Sequence, residues 1–508
     1  MSNNIQNNKR IAKNTAFLYV RMILVLFVSI YTTRVVLNAL GVVDYGINNV
    51  VAGFVSMFAF LNTSMANGIQ RFYNFTLGKK DEYGIKNVYN TAFQIQAVLA
   101  LCILLLLETI GLWYMYNEMQ IPAERFQTAL WVFQFAVAST VLLILQAPYA
   151  SAIMAYEKMN YYAYVGIIEV IIKLLIAYSL TKSDSDRLFL YGFLHFITSL
   201  ILFLMYYIYA KTKFRDLKFE FAIHKELFKP MLSFSGWNIF GSFAYMLKGQ
   251  GLNLLLNSFF GVVVNSARGV SNMIMSALQG FQSNVVIAFR PQIVKSYAAG
   301  NYQHVKKLFY SLSKISFLML TILSVPVILE LDYILKIWLG EAIPEYTKSF
   351  TVLILLNMII SSLNTPLSQV VHATGKMKTY QLCTSIIVCS IVPISWIFLK
   401  FGCDPNSVYY ISLGITIINQ IVCNIIVKRI FPYSLKEYIK SVIIPCTIFI
   451  IATLSIPHIV IMNFEESFVR LVITLFITAL TAISVAYFIV LNKNERNIIL
   501  NFIKKKHK

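Results

Sequence analysis

Runs of about 20 predominantly apolar residues alternate with short polar stretches along the whole chain, and each run is long enough to cross a hydrocarbon core of about 30 Å as a helix. Windows of this kind fall near 14–38, 46–70, 88–115, 126–150, 161–181 and 188–210, then near 230–256, 262–289, 308–329, 349–372, 380–400 and 407–427, and finally near 439–462 and 468–491. The pattern predicts an all-α integral membrane protein with about 14 transmembrane helices. It divides into a six-helix lobe over 1–210, a basic linker over 211–229, a second six-helix lobe over 230–428, two additional helices over 429–491 and a basic tail over 492–508. The polar, basic first 17 residues lead into an apolar run with no small-residue cleavage pattern, so they are read as the start of a retained first helix. Loops much longer than about 20 residues are missing, which leaves no room for a soluble catalytic domain.

Composition sharpens this reading. Of the 508 residues 58% are hydrophobic and 13% charged, against about 25% charged in soluble chains. The net charge of +21 would suggest nucleic acid if the basic residues formed a face. Instead, 30 of the 43 Lys and Arg residues fall in segments on the N-terminal side of the membrane and seven on the other side. By the positive-inside rule, both termini are cytoplasmic, and no nucleic-acid partner is implied. Five of the six cysteines lie inside apolar windows, and no disulfide framework or metal knuckle is expected.

The two halves repeat. Pro148, Ala155, Lys158, Met159 and Tyr162 match Pro366, Ala373, Lys376, Met377 and Tyr380 at an offset of 218. Leu37-Asn38, Gly41-Val42-Val43, Arg71, Gly78 and Lys86 match Leu256-Asn257, Gly261-Val262-Val263, Arg290, Gly300 and Lys306 at 219 to 222. With an even number of spans per half, the repeats are parallel, related by an axis along the membrane normal.

Charges inside spans cost a few kcal/mol each and face a partner or a wet cavity. Arg21, Arg34, Lys173, Lys248, Arg268 and Lys314 stand there against only Glu108 and Glu169. Glu169 and Lys173, four apart, neutralise each other. Arg34 and Lys314, near span ends, are expected to snorkel to the interface. Arg21, Lys248 and Arg268 are expected to line a positive cavity. The eighth span adds a polar stripe, Arg268, Asn272, Ser276, Gln279 and Ser283, and the second matches it with Asn49, Ser56, Thr63, Asn67 and Gln70. Such stripes either hydrogen-bond neighbouring helices or line a lumen, and matched stripes on equivalent helices favour the lumen, with Asn49, Asn67, Asn272 and Gln279 as its polar lining. Lys248-Gly249-Gln250-Gly251 either lets the seventh span bend or allows close helix packing.

The runs RIAKNTAFLYVR (Arg10 to Arg21), LGVVDYG (Leu40 to Gly46), FFGVVVNSARGVSNM (Phe259 to Met273) and FRPQIVKSYAAGN (Phe289 to Asn301) resemble the bacterial polysaccharide flippases, O-antigen and lipid II flippases among them. That family belongs to the multidrug/oligosaccharidyl-lipid/polysaccharide (MOP) exporter superfamily. The resemblance covers essentially the whole chain. It implies a MATE-like V of two six-helix lobes, cavity walls from the first, second, seventh and eighth helices, and no enzymatic activity. It further implies that cations at Arg21 and Arg268 serve a lipid-diphosphate-linked oligosaccharide, exported for O-antigen, lipopolysaccharide or other surface polysaccharide assembly. Lys248 matches no motif and rests on the charge argument alone. Implied partners are that substrate, membrane lipids and a polysaccharide polymerase or ligase. No cofactor is implied beyond a coupling ion or the membrane potential. The competing readings are a MATE-type cation or drug antiporter, which wants a carboxylate in the lumen, and a membrane-embedded glycosyltransferase or polymerase, which wants an acidic pair in a large outer loop. A major-facilitator transporter would need a basic signature that Gly78-Lys79-Lys80-Asp81 lacks.

Overall fold

The computed structural model describes residues 2–56, 58–79, 81–117, 119, 121–214, 220, 224–339, 343–462, 464–492 and 496. Among them the chain is helical, without strands. In order come α1 (Ser2–Ser56), α2 (Ala59–Lys79), α3 (Glu82–Leu106), α4 (Leu112–Asn117), α5 (Phe126–Ala155), α6 (Met159–Lys182), α7 (Arg187–Lys213), α8 (Lys225–Ala298) and α9 (Tyr302–Leu329). Then follow α10 (Leu331–Leu339), α11 (Thr347–Ser361), α12 (Asn364–Thr374), α13 (Met377–Cys389), α14 (Ile391–Lys400), α15 (Ser407–Ile430), α16 (Leu435–Tyr438), α17 (Ile444–Ile461) and α18 (Phe468–Val485). Ten helical stretches among the described residues are long and apolar enough to cross a membrane, and they fall on ten of the fourteen predicted windows. Two of these are broken four residues or fewer before a proline, at Ser362-Leu363 ahead of Pro366 and at Ser390 ahead of Pro393, where the missing N–H interrupts the ladder.

The remaining four windows lie in α1, α2 and α8. The turn expected after the first span is present at Gly41, whose φ of 76° and ψ of 169° place it where only glycine sits without strain. The second window, 46–70, runs from the end of α1 into α2, with a tight turn at Phe58 marked by bonds from Phe58 N to Val55 O and from Leu61 N to Phe58 O.

The 74 residues of α8 carry both the seventh and the eighth window. A straight helix of that length would measure about 110 Å, yet α8 doubles back. A Cβ on Gly68 of α2 would lie 2.4 Å from Ser235 Oγ, and one on Gly78, ten residues along the same helix, 2.6 Å from Lys295 O. Two residues 60 apart in α8 therefore sit within about three turns of each other. Arg268 also donates to Asn253 and, at 2.9 Å, to Gly249 O, contacts that a straight helix would hold more than about 20 Å apart. The reversal falls between Asn253 and Arg268, at the predicted boundary of the two spans.

The chain forms two compact units. The first comprises Met1–Ser242 and Val294–Gly300, the second Phe243–Ile293 and Asn301–Lys508. In the first, α5 packs on α2, α3 and α7, and α1 on α6, around Val51, Leu107, Phe133, Ile144 and Leu180. In the second, α15 packs on α11 and α13, around Leu256, Phe350, Val408 and Tyr409, while α17 and α18 pack on α9. Large apolar side chains such as Phe27, Leu175, Ile386 and Phe476 are exposed, as a lipid-facing surface requires.

The repeat reappears in backbone detail. Glu157 and Gly375, 218 apart, both have left-handed φ, 59° and 78°, in the turns before α6 and α13. Asp81 and Asn301 cap α3 and α9 by accepting from Gly84 N and His304 N. Lys86 and Lys306 pair with Glu220 and Glu437, respectively.

Gly78 marks a close approach of α2 to the backbone at the end of α8. A methyl group there would meet Lys295 O at 2.6 Å, Ala298 Cβ at 2.7 Å and Lys295 Cα at 2.9 Å, mostly backbone that cannot turn aside. Gly78→Ala is expected to lower stability by about 1–3 kcal/mol, read as a lower thermal unfolding midpoint in detergent. An unchanged midpoint would mean that α2 and the end of α8 separate at no cost.

Candidate cationic site

The reversal of α8 brings together two of the predicted cations, Lys248 and Arg268, which lie 20 residues apart in sequence. Arg268 is 7% exposed. Its Nη1 donates to Asn253 Oδ1 and its Nη2 to Gly249 O, so the guanidinium is braced across the two limbs of the helix. The Tyr409 hydroxyl of α15 lies beside it but makes no well-formed hydrogen bond, and the Tyr409 ring packs on Phe350 at 4.6 Å. Lys248 lies close enough for the two positive charges to repel. Among the described residues neither Lys248 nor Arg268 has a carboxylate within 4.0 Å. Among the described residues two of the five N–H donors of Arg268 are bonded, which leaves three for an anion.

The glycines beside Lys248 have different roles. Gly251 packs closely, since a Cβ there would meet Val392 Cγ2 at 2.8 Å. Gly249 has open space on its Cβ side and supplies the carbonyl that Arg268 binds.

Below Arg268 on the same helix, Asn272 is half-buried, and Ser276 and Gln279 are exposed. None of these three side chains makes a hydrogen bond among the described residues, and Ser283 bonds only Gln279 O of its own helix. This stripe is therefore not spent on bonding neighbouring helices.

Arg21 lies in the first unit. Its guanidinium stands 4.7 Å from the Tyr162 ring, and its side chain crosses Gly166, where an added Cβ would fall 1.9 Å from Nε. Thus α1 lays its cation against α6 in a space that only glycine leaves open. Asn67 is half-buried on α2, while the side chains of Asn49 and Arg34 lie outside the described residues. Lys314 departs from expectation. It is 4% exposed, because α17 and α18 cover this face of α9, which a twelve-helix bundle would leave to lipid.

The acids are engaged. Glu169 binds Lys173 at 2.7 Å as expected, and Glu108 accepts from Gln134 at 3.1 Å. Asp44, the one acid in the runs that carry the family resemblance, takes two hydrogen bonds from Arg125, at 2.8 and 2.6 Å. Arg125 also grips Asp186, at 3.0 and 2.9 Å, and Asp186 caps α7. Partial burial opposes ionisation of Asp186, but hydrogen bonds from Arg125, Thr128 and the Phe189 N–H outweigh it and leave its pKa below the usual carboxylate range. Sequence reasoning missed this three-residue clamp, because Arg125 counted only as a loop cation. It also missed Asn253 and Tyr409, ordinary span residues until α8 folds back.

The helical bundle is similar in fold to solved structures. The chain superposes on an outward-facing multidrug resistance MATE family transporter of the MOP superfamily with a TM-score of 0.69 at 13% identity, over 83% of this chain and 97% of that one. A MOP superfamily transporter from Pyrococcus furiosus, described as having a binding pocket of reverse polarity that suggests a different function, gives 0.67 at 12%, over 82% and 95%. The eukaryotic MATE transporter AtDTX14 gives 0.68 at 13%, over 85% and 97%. No family model and no curated protein matches the sequence. The fold is that of MATE-type transporters of the MOP superfamily, in a multi-pass membrane protein.

Proposed function

We propose that this protein moves a lipid-diphosphate-linked oligosaccharide across a bacterial inner membrane, from the cytoplasmic to the outer leaflet, with both its own termini cytoplasmic. The observation that carries the reading is the Lys248–Arg268 pair, two cations with no carboxylate partner among the described residues. A diphosphate brings about two negative charges, and a guanidinium offers it bidentate, charge-assisted hydrogen bonds. Asn272 and Gln279 add uncommitted polar groups on the same helix for a sugar head, while the lipid tail stays in the bilayer. Arg21, Asn49 and Asn67 are assigned to the same substrate path from the first half. An inside-negative potential favours outward movement of the anion by about 2.3 kcal/mol per charge per 100 mV.

A cation antiporter is the second reading, favoured by the multidrug MATE transporters that share the fold. The engagement of Asp44 by Arg125 argues against it. The deciding measurement is leaflet exposure of undecaprenyl-diphosphate-linked oligosaccharide in proteoliposomes. Protein-dependent movement is expected. Its absence with several glycans, alongside uptake of a cationic dye driven by a sodium or proton gradient, would overturn the proposal in favour of antiport.

A further inference from the structure

A second cationic recess lies wholly within the first unit. It is a cavity of about 440 Å³ between α1 and α6, at the end of those helices where the Gly41 turn lies, and α7 begins beside it. One end of it is polar, with Arg187, Asn38 and Thr181, and the other is walled by Tyr31, Leu174 and Tyr178. Arg187 is held in place from behind. Its Nη1 donates to Ala39 O at 3.0 Å and its Nε to Ser183 O at 3.3 Å, while Nη2 has no partner among the described residues. The nearest acid on the same helix start, Asp186, is committed to Arg125 and Thr128, and Arg187 has no salt bridge among the described residues. The Asn38 amide is exposed and also makes no hydrogen bond there. One braced, charged donor and one uncommitted amide thus point to a single anionic group.

The recess continues into an apolar lane. Phe27 and Tyr31 on α1 are 68% and 62% exposed, and Leu175 and Tyr178 on α6 are 61% and 64% exposed, on the lipid-facing surface. A soluble phosphate ester would leave that lane unused, whereas an acyl chain fills it, with phosphate at the helix ends where headgroups lie. We propose that this recess binds one anionic phospholipid, with its phosphate on Arg187 and Asn38 and one chain lying between α1 and α6. The site is independent of which solute the protein carries.

Native mass spectrometry of the full chain, from micelles containing phosphatidylglycerol or the phosphate-free diacylglycerol, tests it. Phosphatidylglycerol should be retained about tenfold more strongly, the scale of one hydrogen bond to a charged group. Arg187→Gln should abolish the preference. Thr181→Trp, which fills the recess from an exposed position, should abolish it too, and it decides the matter if Arg187→Gln fails to fold. Equal retention of both lipids, or an unchanged preference in Thr181→Trp, would overturn the proposal. Displacement of the lipid by glycerol 3-phosphate at matched concentration would also overturn it, in favour of a soluble phosphate ester.

Discussion

Arg268→Gln is expected to reduce protein-dependent movement of the lipid-diphosphate sugar by about two orders of magnitude while leaving membrane insertion intact. Each hydrogen bond from a charged donor contributes about 1.5–3 kcal/mol, so losing a bidentate grip on phosphate costs roughly a hundredfold or more. Insertion should not suffer, since a charge inside a span is itself costly and its removal lowers that cost. The same side chain also braces α8 through Gly249 O and Asn253, so thermal unfolding must be measured alongside transport. Arg268→Lys separates the two roles. It keeps the charge but cannot reach both α8 acceptors and an anion together, so it should retain partial movement. Full transport by Arg268→Gln with an unchanged unfolding midpoint would sink the cationic-site reading.

Much of this architecture was legible because a bilayer imposes one rule on every span, about 20 apolar residues with all backbone groups bonded internally. Ten windows needed nothing further. The turn at Gly41 was legible from the gap between the first two windows, and Glu169 with Lys173 from helical spacing alone. What sequence could not supply were contacts made by folding back or by covering. Asn253 meets Arg268 only because α8 reverses. Lys314 was expected to snorkel because it stands near a span end, yet it is buried where α17 and α18 lie against α9. The turn at Phe58 within the second window also escaped, since no proline or glycine stands there to announce it. Likewise Glu330 lies outside every predicted window, yet it is fully buried at the end of α9, ahead of the helix α10.

That burial sets the second large effect. Glu330, at the C-terminal end of α9, is 0% exposed and accepts from Arg470 Nε at 3.0 and 3.1 Å and from Thr474 Oγ1 at 2.6 Å, both in the first turns of α18. Arg470 also donates to Phe464 O at 3.2 Å. The pair therefore fastens the additional C-terminal helices to the second repeat. Arg470→Met is expected to destabilise the protein by about 3–5 kcal/mol, because it leaves a carboxylate in the core with only a hydroxyl for company. Removing both charges, as Glu330→Met with Arg470→Met, should recover most of that loss, since a buried ion pair replaced by apolar side chains of similar volume is often neutral or even stabilising. A double-mutant cycle on unfolding midpoints reads the difference directly. A single variant as stable as the parent would mean that water reaches Glu330 and that α17 and α18 are held by apolar packing on α9 alone. A double variant no better than Arg470→Met would place the cost in the lost Arg470 packing and its bond to Phe464 O, and not in the stranded charge.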